Sequence, residues 1–167
     1  MNYIRPWRTT DAYNLAAALS NESVQKNLRD GIPFPYTEND AVEYIRSIWN
    51  APRDSQYVWA IHDSGMAIGC IGLFRKDNIH ARTAEIGYYI AEPYWGRGIA
   101  AKAVREACSY VFQVTNIVRV FAEPFATNTA SCRVLEKAGF TLEGTLRKNA
   151  VKNGEIIDMK LYSLVKE

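Results

Sequence analysis

Two glycines flank an arginine at Gly96-Arg97-Gly98, where an apolar segment passes into a run of helical periodicity, and that placement suits an anion. The residues before them, Glu85-Ile86-Gly87-Tyr88-Tyr89-Ile90-Ala91-Glu92-Pro93, read as a strand. Those after them set Ile99, Ala103, Ala107 and Val111 on one side of a helix running to Gln113. Such a strand–turn–helix aims the N–H groups of residues Arg97 to Ala101 at one point, and the helix dipole adds positive potential there. A phosphate or pyrophosphate fits that point. Gly96 and Gly98 allow the backbone a close approach and conformations that other residues resist. No Gly-Lys-Ser/Thr follows, and Lys102 already lies inside the helix, so this is not a nucleoside-triphosphatase loop. Farther along, Asn128-Thr129-Ala130-Ser131 opens another helix, for which Asn128 serves at least as a cap, and Gly139 closes it.

Other reactive side chains carry less pattern. Cys70, Cys108 and Cys132 are scattered and never spaced as C-x-x-C, so they read as small core residues in a reducing compartment, with neither disulfide nor zinc implied. His62 and His80 lack the partners of a metal site or a catalytic base, and no metal is expected. The 167 residues are 48% hydrophobic and 23% charged, with a formal net charge of +2, which is ordinary for a soluble globular chain. That balance is too mild to indicate a nucleic-acid or membrane surface. The start, MNYIRPWRTTD, has no basic segment leading into an apolar one, and no apolar run reaches bilayer length. The expectation is a cytoplasmic protein forming one domain over residues 1–167.

The elements that must position the turn follow from periodicity and punctuation. A first strand is expected at Tyr3 to Trp7, then a helix capped by Thr10-Asp11 and a short helix over Glu22 to Leu28. Arg29 to Tyr36 is a proline-rich loop, after which Thr37 caps a helix to Trp49. A meander follows: Gln56 to Asp63, a turn at Ser64-Gly65, Met66 to Arg75, and Thr83 to Ile90. After the helix from Gly98 come a strand over Arg119 to Glu123, a helix over Asn128 to Ala138, and a hairpin. The hairpin pairs Thr141 to Ala150 with Ile156 to Val165 across Lys152-Asn153-Gly154. These elements make an α/β (α+β) arrangement with a mixed sheet and helices on both faces.

Taken together, EIGYYIAEPYWGRGIAAKAV and NTASCRVLEKAGFTLEG resemble, in order, the two acetyl-coenzyme A motifs of the GNAT superfamily of N-acetyltransferases. The likeness covers nearly the whole chain and is nearest to the RimJ/RimL-type branch, which modifies protein α-amino groups. Trp95 departs from the glutamine or arginine of other branches in the way that this branch does. The resemblance implies the GNAT fold, a mixed and mostly antiparallel sheet of about seven strands. It also implies acetyl-coenzyme A as co-substrate. The backbone of Gly96, Arg97, Gly98, Ile99, Ala100 and Ala101 would hold the pyrophosphate, with the Arg97 side chain assisting. The backbone of Tyr89 and Ile90 would pair with the pantetheine arm, Asn128 would hydrogen-bond it, and Ser131 would sit by the thioester sulfur.

An α-amino group has a pKa of roughly 8 and a lysine about 10.4, so an attacking amine must first lose a proton. The resemblance makes Glu85 the candidate base and N–H groups near Ile90 the donors that polarise the carbonyl. Glu85 otherwise reads as an exposed strand carboxylate, or as one paired with Arg82 or Lys76. Where many members carry a tyrosine as general acid, this chain has Leu135, so that role passes to Ser131, as a proton or hydrogen-bond donor, or to no residue at all. Arg29, Phe34 and Tyr36 would line the acceptor site, unless their loop is a plain connector. The expected acceptor is a protein N-terminal α-amine. A small amine (polyamine, amino acid or antibiotic) is the alternative, and a non-catalytic acyl-coenzyme A-binding module is a third reading. Nucleic acid and membrane are not expected partners, and the resemblance is compatible with a homodimer.

Overall fold

The computed structural model describes residues 2–167. Alternation along the strands dictates its layers. In β2 (Gln56–Asp63), Val58 and Ala60 are buried in one core while Trp59 and Ile61 are buried in another, so the strand must be covered on both faces. β3 (Met66–Arg75) pairs with it and carries one extra residue, because Ile61 faces Gly69 while His62 faces Ala67. This bulge switches the phase of β3, so that Ile68 and Ile71 share one core.

Seven strands form one sheet in the order β1-β2-β3-β4-β5-β7-β6, where β1 is Ile4–Arg5, β4 Thr83–Ile90, β5 Arg119–Ala122, β6 Thr141–Lys152 and β7 Glu155–Val165. All neighbours are antiparallel except β4 and β5. A parallel pair needs a crossover, and α4 (Ile99–Val114) supplies it. Buried residues of α4 and of α5 (Thr129–Lys137) pack into the core on one face of the sheet. α1 (Ala12–Leu19), α2 (Glu22–Gln25) and α3 (Glu38–Trp49) fill the core on the other. The expected mixed sheet with helices on both faces is therefore the one observed.

The parallel pairing is brief. Only Thr83↔Arg119, Ala84↔Val120 and Glu85↔Phe121 are in register, although β4 stays paired to β3 as far as Ile90. Beyond β5 the chain follows β7 instead: Lys160 N–H donates to the Pro124 carbonyl and Ala126 N–H to that of Asp158, each at 2.9 Å. The sheet therefore splays open after Glu85.

Two elements are three residues shorter than their sequence suggests. β1 has two residues rather than five, because Pro6 has no N–H for the ladder and Trp7 turns into the α1–α3 core. α2 stops at Gln25 rather than Leu28. There the Gln25 side chain donates to the carbonyls of Leu19 and Pro33, at 2.8 Å each, and ties down the loop that follows. The helix expected from a Thr10-Asp11 cap begins instead with a 3-10 turn at Thr9–Asp11. The Asp11 carboxylate accepts there from the Arg8 N–H and from Arg5.

Candidate active site

The turn expected to hold an anion takes the form that its glycines allow. Gly96 and Gly98 have φ of 75° and 72°, and Gly98 is the N-cap of α4. A β-carbon at either position would meet no atom within 4 Å, so backbone conformation, not crowding, calls for glycine. The first-turn N–H groups of Ile99, Ala100 and Ala101 have no intrahelical partner. They open onto a cavity of about 350 Å³ that Tyr88, Tyr89, Ile90, Asn128 and Ser131 also line. Ten expected cofactor residues were named from the sequence. All but Arg97 lie on this cavity wall.

The Arg97 side chain folds away. Its guanidinium lies 5.0 Å from the Tyr94 ring centroid and donates to the Pro93 carbonyl at 3.0 Å. The basic groups that do reach the cavity are Arg133 and Lys137 of α5. Sequence reasoning missed them because exposed basic residues on a helix usually mean no more than a solvated face. At the end of β4, the Trp95 indole donates to the Ile90 carbonyl at 2.7 Å. That backbone group is thus already engaged, and the free pairing edge is smaller than the sequence reading expected.

A second cavity, about 500 Å³, lies on the other side of Tyr88 and Tyr89. Its wall includes Leu28, Arg29, Ile32, Tyr44, Cys70, Phe74, Glu85, Glu123 and Phe125. Asn27, Leu28, Tyr88 and Tyr89 line both cavities, so the two meet at the splay of β4. Glu85 is largely covered, its side chain 16% exposed, and pairs with Arg29 and, at 3.3 Å, with Lys76. Lys76 is one of the partners named from sequence. The other, Arg82, instead donates to the Asn116 carbonyl at 2.9 Å.

Of the three loop residues expected at the acceptor site, Arg29 lines this second cavity, whereas Phe34 and Tyr36 line neither one. Phe34 is exposed and Tyr36 is buried in the α1–α3 core. The cause is Ser20, whose hydroxyl donates to the Tyr36 carbonyl and accepts from the Tyr36 N–H, at 2.8 Å each, pulling the segment against α1. Burial pushes the Tyr36 phenol up to about 12. The loop instead offers Leu28 and Ile32. Beside them Asp30 pairs with Lys152 at 2.9 Å and accepts from the Asn153 N–H at 3.4 Å, so the loop reaches the β6–β7 turn.

Asn128 caps α5 through its amide oxygen, which accepts from the Ser131 N–H at 3.1 Å. Its NH2 is then the group it can present to the cavity. The Ser131 hydroxyl lies 2.8 Å from the Tyr88 phenol oxygen, a contact that no sequence spacing announces. Leu135 is fully buried and takes no part in the cavity wall. All three cysteines are free and buried, and burial pushes the Cys70 thiol up to about 11. Among the described residues no cluster of three or more His, Cys, Asp or Glu could hold a metal ion, and no helix is long and apolar enough to cross a membrane.

Two cavities, one beside the glycine turn and one with a shielded carboxylate, thus share a pair of tyrosines. The Acetyltransferase (GNAT) domain family matches residues 3–141. The uncharacterized N-acetyltransferase YoaA of Bacillus subtilis (strain 168) is 33% identical over 159 residues, which is 93% of this chain and 88% of its own length. Two solved structures share the fold at low identity. Ribosomal-protein-S5-alanine acetyltransferase from Vibrio fischeri superposes with a TM-score of 0.87 at 20% identity, covering 100% of this chain and 94% of that one. Spermidine N-acetyltransferase from Vibrio cholerae, in complex with CoA and spermine, gives 0.80 at 21% identity, covering 98% and 94%.

Proposed function

The chain belongs to the GNAT acetyltransferase family and is an N-acetyltransferase, and from that premise we propose that residues 1–167 act as one domain that moves an acetyl group from acetyl-coenzyme A to a protein N-terminal α-amine. The thioester supplies the activated acyl group. The cavity beside the anion turn fits such a co-substrate: N–H donors and the basic Arg133 and Lys137 suit its phosphates, and the splayed edge of β4 suits its amide-bearing arm.

In this reading the amine enters from the larger cavity and Glu85 takes its proton, directly or through one water. The neutral nitrogen then attacks the carbonyl at the junction by Tyr88 and Tyr89, while N–H groups near Ile90 steady the oxygen. Nitrogen gives up two protons in all: one on becoming a neutral nucleophile, which passes through Glu85 to solvent, and one as the amide forms, which balances the proton gained by the departing sulfur. Ser131, on the wall of the first cavity, would donate a hydrogen bond to that sulfur.

One observation carries the choice of acceptor. Glu85 is already matched by Arg29 and Lys76, and among the described residues Glu123 is the one other carboxylate on the wall, which is otherwise mainly apolar and aromatic. A polyamine brings several positive charges that need several unmatched carboxylates. A peptide brings one amine, which loses its charge, and an apolar side chain that Leu28, Ile32, Phe74 and Phe125 can cover. Mass spectrometry of the protein with acetyl-coenzyme A, N-terminal peptides, polyamines, amino acids and aminoglycosides tests this. Acetylated α-amines of peptides with apolar first residues are expected. Product confined to polyamines refutes the acceptor, and coenzyme binding without any product leaves a non-catalytic acyl-coenzyme A-binding module as the reading.

A further inference from the structure

Tyr88 is the residue that the mechanism above leaves without a task, although it stands at the meeting point of both cavities. Its phenol oxygen is 2.8 Å from the Ser131 hydroxyl and 3.2 Å from the Ser131 carbonyl oxygen. A phenol has one proton, so two arrangements compete. In one, Tyr88 donates to the carbonyl and Ser131 donates back to Tyr88, which turns the serine proton away from the cavity. In the other, Tyr88 donates to the serine oxygen, and the serine proton is free to face the cavity. Negative charge appearing on a sulfur there selects the second arrangement, because only that one offers it a hydrogen bond.

We propose that Tyr88 is a positioning residue for acyl transfer, which orients the Ser131 hydroxyl so that its proton stabilises the departing thiolate. This rests on the acetyl-coenzyme A reading of the site. As the tetrahedral adduct collapses, the carbon–sulfur bond breaks and its electron pair passes to sulfur. Ser131 donates a hydrogen bond to that sulfur and Tyr88 donates one to Ser131. Neither gives up its proton, and the sulfur is protonated in the end by the equivalent lost from the amine. Burial pushes the Tyr88 phenol well up, which keeps it a neutral donor throughout and argues against a phenolate. The pair also explains how the site works with Leu135 where a tyrosine would otherwise serve: a serine alone is a poor acid, but a serine whose oxygen is already hydrogen-bonded is a better donor.

The test uses Y88F, which keeps the ring, together with S131A and the double variant. Turnover of Y88F should fall about tenfold, with the KM for acetyl-coenzyme A within about twofold of native, as for loss of one hydrogen bond felt as charge develops. The double variant should be no slower than S131A alone, since both substitutions break one chain. A second readout needs no acceptor: the thiol of bound coenzyme A is titrated through the ultraviolet absorbance of its thiolate. Native protein should hold that thiol below its free pKa, and Y88F should lose at least half of the shift. A thiol titrating identically in native protein and Y88F overturns the role of Tyr88. Failure of native protein to bind coenzyme A at all overturns the co-substrate reading, and this inference with it. An unchanged Tm in Y88F excludes simple loss of packing as the cause.

Discussion

Arg29 and Glu85 form an ion pair on the wall of the larger cavity, joining the loop after α2 to the splayed strand β4. A carboxylate held this way is positioned but partly neutralised, so an incoming amine must compete with Arg29 for it. The carboxylate and the loop after α2 are therefore coupled through one ion pair.

The first expectation concerns the base. Glu85→Gln should lower kcat about a hundredfold while leaving the coenzyme A dissociation constant within about twofold, as for removal of a general base. Steady-state kinetics together with calorimetric binding check this. Undiminished turnover removes Glu85 from that role.

Arg29→Ala separates recognition from stability. Arg29 is mostly exposed, and a solvent-facing pair contributes at most about 1 kcal/mol, so Tm should barely move. The acceptor KM should change, while coenzyme A affinity should not. If coenzyme A affinity changes instead, the cavity that Arg29 lines has been misassigned.

At the anion turn, Gly98→Trp should abolish coenzyme A binding. The side chain would grow into open space at the N-cap of α4, and a left-handed conformation costs a non-glycine residue roughly 1–2 kcal/mol. Circular dichroism should still show a folded chain. Normal affinity in that variant refutes the turn as the phosphate site.

The basic pair on α5 gives a graded test. Arg133→Ala and Lys137→Ala should each weaken coenzyme A about fivefold, and less so at high salt, because exposed charges are screened beyond about 10 Å at 0.1 M. Affinity for dephospho-coenzyme A, which has one phosphate fewer, should show which residue serves which group. A loss that is insensitive to salt would point to packing instead.

Acid stability has a traceable source. Burial alone would raise the Asp11 carboxyl, but hydrogen bonds from Arg5 and the Arg8 N–H and the nearby charge of Arg5 prevail and hold it below its usual range. Glu143 is held down to about 2, first by Arg119 and then by Ser163. Both folded-state values are depressed, so each contribution is present above the ordinary carboxylate range and is lost as the pH falls through the folded-state value, which for Glu143 is about 2. Urea unfolding across that window should show the loss. Asp11→Asn should cost about 2 kcal/mol at neutral pH, by leaving the Arg5 guanidinium short of a partner.

How far the chain could be read in advance depended on the range of the interaction. β2, β3 and β4 match the ends expected from alternation and turn residues, and α3 begins at its Thr37 cap. The glycine turn that opens α4 was legible because two glycines and a helical period lie side by side. What local pattern could not carry were contacts between distant segments: Ser20 with Tyr36, Arg29 with Glu85, Tyr88 with Ser131. Tyr36 looked like a wall residue from its loop, and only its bond to α1 sends it inward. Arg97 looked like a phosphate ligand from its place between the glycines, and only the neighbouring Tyr94 ring shows where its guanidinium goes. The loop residue that truly faces Glu85 was identifiable by charge alone, and Asp30 offered charge as well.

The sheet acts as a partition between two inheritances. Residues such as Leu15, Leu19, Ala41 and Ile45 pack on the side of the loop after α2, whereas Val104, Ala107, Val111 and Leu135 pack on the side of the glycine turn, on the opposite face. Substitutions can drift in the first set without disturbing the packing of the second, because few side chains belong to both. On the proposed reading, one face can therefore be altered for a different amine while the packing beneath the glycine turn is left intact. Directed evolution towards a new acceptor would do best to confine its libraries to the α1–α3 side.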